Sequence, residues 1–368
     1  MKIIHTGDLH LDSPFSSLDP SSSEKRRGAL RAAFSSLVIL AKTEKVDLFL
    51  IAGDLFDDEC ITKDTINAVV KDMASVPDCL FVITPGNHDP FTETSPYKLV
   101  KWPENVYIFF SECINCIEVD KLNARIYGSA FCSQAKAPFT DTVFKANNDG
   151  KINILVHHGD IDNPRSPYSP ITHDMMENSG FDYIALGHVH KGTDILTAGS
   201  TKYAYCGCIE GRDFGETGYK SAIIGTIEKG NISLGRIKIS NKRYEVVKFD
   251  ATGASDFSDV IPEIVKECSS FGDDTLLRVE ITGVTSESFS ADTDVLKASL
   301  PAVSYLEIKD MTQPLLNIAK LKENKSLAGE FYRHIEPSLY SSDENEREIA
   351  QMALKYGLRA IYGMEIKA

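Results

Sequence analysis

The stretch Thr84-Pro85-Gly86-Asn87-His88-Asp89 sets an amide, an imidazole and a carboxylate in a row directly after an apolar run, Leu80-Phe81-Val82-Ile83. The run predicts a short buried strand, and Pro85-Gly86 a sharp turn at its end. Four more apolar runs end in the same way. Residues 2–7 lead into Asp8-Leu9-His10, residues 48–53 into Asp54, residues 152–156 into His157-His158-Gly159, and residues 183–187 into His188-Val189-His190. Ligand types at i and i+2 of an extended segment lie on one side of it. In open α/β sheets the loops at the strands' carboxyl ends carry the site. Imidazole, carboxylate and amide donors together suit divalent first-row metals such as Mn, Fe or Zn. They are too many for one ion and suit two, roughly 3.5–4 Å apart.

In order and in type, Asp8-Leu9-His10, Gly53-Asp54, Gly86-Asn87-His88-Asp89, His157 and Gly187-His188-Val189-His190 resemble the calcineurin-like metallophosphoesterases. Within that superfamily, Asp8-Leu9-His10-Leu11-Asp12-Ser13-Pro14 and Gly53-Asp54-Leu55-Phe56-Asp57 resemble DNA repair nucleases of the SbcD type, nearest the bacterial YhaO-like branch. The stretch from Gly211 to Lys220 resembles the family too, whereas Tyr205-Cys206-Gly207 has Cys where Pro is usual.

The resemblance implies a binuclear phosphodiesterase. One ion would be held by Asp8, His10, Asp54 and His190, the other by Asp54, Asn87, His157 and His188. Asp54 would bridge them, because a carboxylate can give one oxygen to each ion. A water activated between the ions would attack phosphorus in line. His88 would stand near the leaving oxygen as general acid or charge stabiliser, with Asp89 orienting its ring. The expected cofactor is a pair of divalent ions, Mn2+ foremost, with Fe2+, Zn2+ or Mg2+ as alternatives. Of the adjacent His157 and His158, one must point away from the site if the segment is extended. His157 matches the family's His-x-Gly position and is the expected ligand. His5 is expected as a hydrogen-bonded core histidine, and His173 and His334 carry no signal.

The elements that must position these residues follow from periodicity. Residues 21–24 form a capping-box pattern, and Leu30, Phe34, Leu37 and Ala41 then share one helical face. Residues 62–76 predict a second helix, with Ile66, Val69, Val70 and Met73 at helical spacing. Residues 106–110, 113–119 and 124–131 predict antiparallel strands, and residues 172–179 a short helix with Gly180 as its left-handed cap. Lys229-Gly230-Asn231 joins a hairpin of residues 219–227 and 232–239. The mixture suits a two-sheet sandwich with helices outside. The resemblance implies the same architecture, a four-layer α/β/β/α sandwich over residues 1–249. The small polar stretch at 250–256 predicts a boundary, after which two helices and two strands make a small α+β domain to residue 314. The resemblance makes this a capping domain. A helical tail follows over residues 315–368.

At 368 residues, 42% hydrophobic and 25% charged, the composition is that of a globular protein. No apolar run reaches membrane length, and a core strand begins at once, so no membrane association and a cytoplasmic location are expected. The eight cysteines are expected to be reduced, buried thiols, Cys60 and Cys79 bordering apolar runs, with Cys113-Ile114-Asn115-Cys116 and Cys206-Gly207-Cys208 too isolated for a zinc ribbon. A net charge of −14 runs against the basic footprint usual in nucleic-acid binders. Basic clusters do occur, at Lys25-Arg26-Arg27 with Arg31 and at Lys238 with Lys242-Arg243, but each is expected to be a solvated helix or hairpin face. The resemblance, through the Asp8–Pro14 stretch, the capping domain and the helical tail, nonetheless implies a DNA exonuclease or endonuclease subunit, with a stand-alone phosphatase or cyclic-nucleotide phosphodiesterase as the alternative. The related nucleases imply a homodimer through residues 62–76 and a helix at 95–101. They also imply a coiled-coil ATPase of the SbcC kind, docking on a tail helix whose apolar face is Ile349, Met352, Ala353 and Tyr356.

Overall fold

The computed structural model describes residues 1–16, 19–57, 60–139, 144–286, 289–315, 318–323 and 325–361. They form two compact units, Met1–Tyr244 and Glu245–Ala368. The first unit runs β1 (Lys2–Thr6), α1 (Pro20–Thr43), β2 (Leu48–Ala52), α2 (Lys63–Ala74), β3 (Leu80–Thr84), α3 (Pro96–Leu99), β4 (Val106–Ile108), β5 (Asn115–Val119), β6 (Ala124–Gly128) and β7 (Ile152–His158). It continues with α4 (His173–Glu177), β8 (Tyr183–Gly187), β9 (Leu196–Ala198), β10 (Thr201–Tyr205), β11 (Ser221–Glu228) and β12 (Asn231–Lys238).

The strands make two six-stranded sheets, ordered β12-β11-β1-β2-β3-β4 and β5-β6-β7-β8-β10-β9. Strands β1 to β4 are parallel, as are β6, β7, β8 and β10. Residues 106–108 thus join the first sheet in parallel, not as the antiparallel piece expected, because they return to the sheet after the α3 segment and pair with β3. The β5–β6 pair is antiparallel as expected.

Side chains alternate between three cores, which is the period-2 rule at work. On β2, Phe49 and Ile51 face α1 and α2, while Leu48, Leu50 and Ala52 face the second sheet. On β7, Ile152, Ile154 and Val156 face the first sheet, while Leu155 faces outward to α4 and Phe181. Helix, sheet, sheet and helix are therefore stacked as an α/β sandwich. His5, on the inner face of β1, is buried against Tyr183 Oη (2.8 Å from its Nδ1) and the Leu186 carbonyl.

Local chemistry shifts some boundaries. Helix α1 starts earlier than the capping box at Ser21 suggests. The Asp19 carboxylate accepts from the amides of Ser21 and Ser22, and Pro20 takes the first helical position. Thr62 caps α2, and Gly180 has the left-handed φ of +76° expected of it. The helix expected at 95–101 is only the single turn of α3.

The second unit contains β13 (Arg243–Asp250) from Glu245 onward, α5 (Phe257–Cys268), β14 (Thr275–Thr282), β15 (Val284–Thr285), α6 (Thr293–Ser299), β16 (Tyr305–Asp310) and β17 (Gln313–Pro314), then α7 (Ile318–Glu323), α8 (Leu327–Leu339) and α9 (Glu344–Ile361). Its sheet is ordered β13-β14-β16, and its core joins Val260 and Ile264 to Leu277, Val279 and Leu296. Val247 and Phe249 pack into this core, so the strand that contains the expected break after residue 249 lies largely in the second unit. Helices α8 and α9 share a small core of Ala328, Tyr332, Leu354 and Leu358. The buried stripe of α9 is Ala350, Leu354 and Leu358, whereas Ile349 and Met352 are exposed.

Among the described residues no cysteine is disulfide-bonded; Cys79, Cys206, Cys208 and Cys268 are buried, whereas Cys113 and Cys116 are exposed, and so, against expectation, is Cys60, which lies in the turn before α2 and not in a strand. Nor, among those residues, is any helix long and apolar enough to cross a membrane.

Candidate metal centre

The loops after β1, β2, β3, β7 and β8 meet at one edge of the sandwich, and several of them hold unusual backbone. Asp8, His10, Asp54 and His188 all have positive φ, at 49°, 44°, 50° and 100°. Such conformations cost of order 1–3 kcal/mol each and persist where the surroundings over-determine them. Here they are fixed by hydrogen bonds between loops. The amides of Asp8, Leu9 and His10 donate to the carbonyls of Gly53 and Asp54. The His88 amide donates to Asp54 Oδ1 (3.0 Å), and the His188 amide to Asp8 Oδ1 (2.9 Å).

Asp12 braces the first loop from behind. Its Oδ1 accepts from Arg31 Nη1 and Thr65 Oγ1, and its Oδ2 from the amide and hydroxyl of Thr62 (all 2.8 Å). One carboxylate thus ties the ligand loop to α1 and α2.

Two groups of donors result, with Asp54 between them. On one side Asp8, His10 and His190 bring one ligand atom each within 4.8 Å of one another. On the other, His158 joins Asp8 and Asp54 within the same limit. Asp54 Oδ2 is 3.6 Å from His10 Nε2 and 3.4 Å from His158 Nε2. Asn87 Oδ1 lies 3.0 Å from His158 Nε2, and the His188 ring packs on that of His158 at 5.1 Å. His88 stands at the rim, half-exposed, its ring 4.8 Å from that of His10.

Two expected assignments are corrected. His157 does not enter the site: its Nε2 is 2.9 Å from the Ser169 carbonyl and its ring packs on Phe139. Alternation along β7 puts His158 on the same face as Ile154 and Val156, toward the first sheet, and sends His157 the other way. Asp89 does not orient His88. Its Oδ1 accepts from the Gly86 amide, and its Oδ2 from the Phe56 amide and Tyr97 Oη. Asp89 instead locks the turn itself. The carboxylate facing His88 is Asp57, 3.9 Å away.

Electrostatics follow from burial and neighbours. Burial pushes Asp8 up and His188 down to about 4. Burial also opposes ionisation of Asp54, but the charges of His158 and His10 outweigh it and hold its carboxyl well below the usual range. Asp57 raises His88. Burial, with the charge of Asp54, pushes Asp89 up to about 7.

The donor set fits a cation. His190 Nδ1 is 2.7 Å from Glu216 Oε1, so the proton sits there and Nε2 presents its lone pair. That lone pair meets His10 Nε2 at 3.1 Å, and buried His10 Nδ1 has no hydrogen-bond partner among the described residues. An ion lying against both rings would take the lone pair of each Nε2. Two nearly fully buried carboxylates, Asp8 and Asp54, add the negative charge a divalent ion needs. Glu216, Arg212, Asp57 and Asp160 complete the surroundings, the last 3.6 Å from His188 Nε2. The first three lie in the stretches that resemble the family, though composition alone gives them no role.

Residues 1–192 match the family model described as calcineurin-like phosphoesterase. An "Uncharacterized metallophosphoesterase YhaO" of Bacillus subtilis (strain 168) is 29% identical over 302 residues, covering 78% of this chain and 73% of that protein. The crystal structure of TT1561 of Thermus thermophilus aligns at 9% identity with a TM-score of 0.39, covering 65% of this chain and 98% of that one. The chain belongs to the calcineurin-like phosphoesterase family.

Proposed function

From this membership we propose that the protein is a two-metal phosphodiesterase acting on DNA, a nuclease of the SbcD type. Bound divalent ions, Mn2+ foremost, would supply an activated water and polarise the phosphoryl oxygens. Asp8, His10 and His190 would hold one ion and His158, Asn87 and His188 the other, with Asp54 between. The observation that carries a diester reading is His88. It sits half-exposed at the rim of a buried donor cluster, its amide tied to Asp54 and its ring facing Asp57. A raised imidazole in that place can protonate an alkoxide leaving group, which a nucleotide oxygen requires.

DNA as substrate rests on the Asp8–Pro14 and Gly53–Asp57 stretches and on the second α+β unit. The net charge of −14 favours a second reading, a phosphatase or cyclic-nucleotide phosphodiesterase acting on small substrates. The deciding experiment compares Mn2+-dependent release of nucleotides from a linear duplex with hydrolysis of bis-p-nitrophenyl phosphate and cyclic nucleotides. Turnover of the small substrates without attack on duplex would overturn the nuclease reading.

Partners are part of the proposal. The exposed Ile349 and Met352 on α9 are apolar groups that its own core leaves uncovered, as a docking face for an SbcC-like ATPase requires. Self-association would use the α2 side of the first unit, and the cytoplasm is the proposed location.

A further inference from the structure

Arg212 and Glu216 belong to none of the ligand loops, yet they reach the site. Glu216 Oε2 accepts from the Arg212 amide at 2.8 Å, and the Arg212 carbonyl accepts from Tyr244 Oη at 3.1 Å. The backbone of Arg212 is thus pinned on both sides. Its guanidinium leans on Glu216 Oε1, 3.2 Å from Nη2, and lies against the His190 ring, with Nη2 2.9 Å from Nδ1 and 3.4 Å from Nε2.

The contact with His190 is not a hydrogen bond. Glu216 Oε1 already takes the proton on Nδ1, so Arg212 meets another donor there. The Nε2 lone pair, 3.4 Å from Nη2, is the one an ion would take, which would leave these N–H groups without an acceptor in the ring. The guanidinium charge reaches His10, His88 and Asp57 alike, which places it in the mouth of the site. A planar cation with spare donors, fixed beside a metal-binding imidazole, matches the geometry of a phosphoryl oxygen.

We propose that Arg212 binds a non-bridging oxygen of the substrate phosphate, and that Glu216 is the positioning residue that holds both Arg212 and His190. This rests on the phosphoester chemistry of the site and not on DNA as substrate.

The test uses the full-length Mn2+-loaded protein with inorganic phosphate and bis-p-nitrophenyl phosphate. Arg212→Gln is expected to weaken phosphate binding, measured by calorimetry, by roughly 10–100-fold. KM for the diester should rise in parallel, with bound Mn2+ per chain unchanged. Arg212→Lys should recover part of the binding, since it keeps the charge and loses the fork. Glu216→Ala should weaken both phosphate and Mn2+ binding, the latter by about 10–100-fold. Unchanged phosphate affinity in Arg212→Gln would overturn the assignment alone. So would loss of Mn2+ in that variant, because Arg212 would then act only through His190. A wild-type protein that neither binds phosphate nor hydrolyses the diester would overturn the phosphoester reading along with it.

Discussion

Gly86 lies flush against Asp54: a Cβ at Gly86 would stand 2.1 Å from Asp54 Oδ1 and 2.7 Å from its amide nitrogen. The turn after β3 and the proposed bridging carboxylate can therefore touch only because residue 86 has no side chain. Gly86→Ala should push the two loops apart while leaving both sheets intact. Expected are an unchanged circular-dichroism spectrum and a metal affinity lowered by about 10–100-fold, read by equilibrium dialysis. Full metal binding in this variant would show that the loops can separate without harm to the site.

The adjacent histidines of β7 give a second prediction. His158→Ala removes a donor 3.4 Å from Asp54 and should lose one ion per chain together with activity. His157→Ala removes the contact with the Ser169 carbonyl and the packing on Phe139, both outside the site. It should keep both ions and cost about 1–3 kcal/mol of stability, as loss of a buried hydrogen bond does. The reverse pattern in metal content would restore His157 as the ligand.

Lys136 provides a pH prediction away from the ligands. It is buried, bonded to Ser129 Oγ and faced by the Phe131 and Phe139 rings, and burial pushes its amine down to about 7. The unfolded chain keeps the ordinary value of 10.5, so between pH 7 and 10.5 the unfolded state holds the extra proton. Stability should then rise with pH across that window, at up to about 1.4 kcal/mol per pH unit. Lys136→Met should flatten the rise and raise the melting temperature near pH 7. An identical pH profile in wild type and variant would mean that the amine is not held neutral in the fold.

These residues also show what can be read from the sequence. The five apolar runs and the ligand types at their ends identify the sandwich edge and most of the donors, because buried parallel strands are continuous apolar segments. The choice between His157 and His158 is decidable too: Ile152, Ile154, Val156 and His158 share one face by alternation. A two-residue motif hides that parity. Asp57 is visible three residues after Asp54, but its pairing with His88 needs the β2 and β3 loops side by side. Asp89 illustrates the opposite error. It adjoins His88 in sequence, yet the tightness of the turn directs its carboxylate to the Gly86 and Phe56 amides and to Tyr97. Arg212 and Glu216 arrive from a segment more than twenty residues beyond the last ligand, a distance no local pattern spans.

Asn87 and His88 are neighbours with separate tasks, and their separation is the sharpest test of the site. Asn87 turns its amide oxygen toward His158, into the buried cluster, while His88 stays at the rim with Asp57. His88→Asn should therefore retain both ions and phosphate affinity while losing turnover. Loss of one general acid lowers a rate by about 10²–10⁴-fold. The loss should be smaller for a p-nitrophenolate leaving group, which needs no proton, than for a nucleotide oxygen, which does. Equal losses on both would make His88 a charge stabiliser instead of a proton donor. Because His10, Asp57 and His88 also bring ligand atoms within 4.8 Å of one another, a third outcome has a structural basis. If His88→Asn lost an ion, His88 would be a ligand, and the proton for the leaving oxygen would have to come from elsewhere in the site.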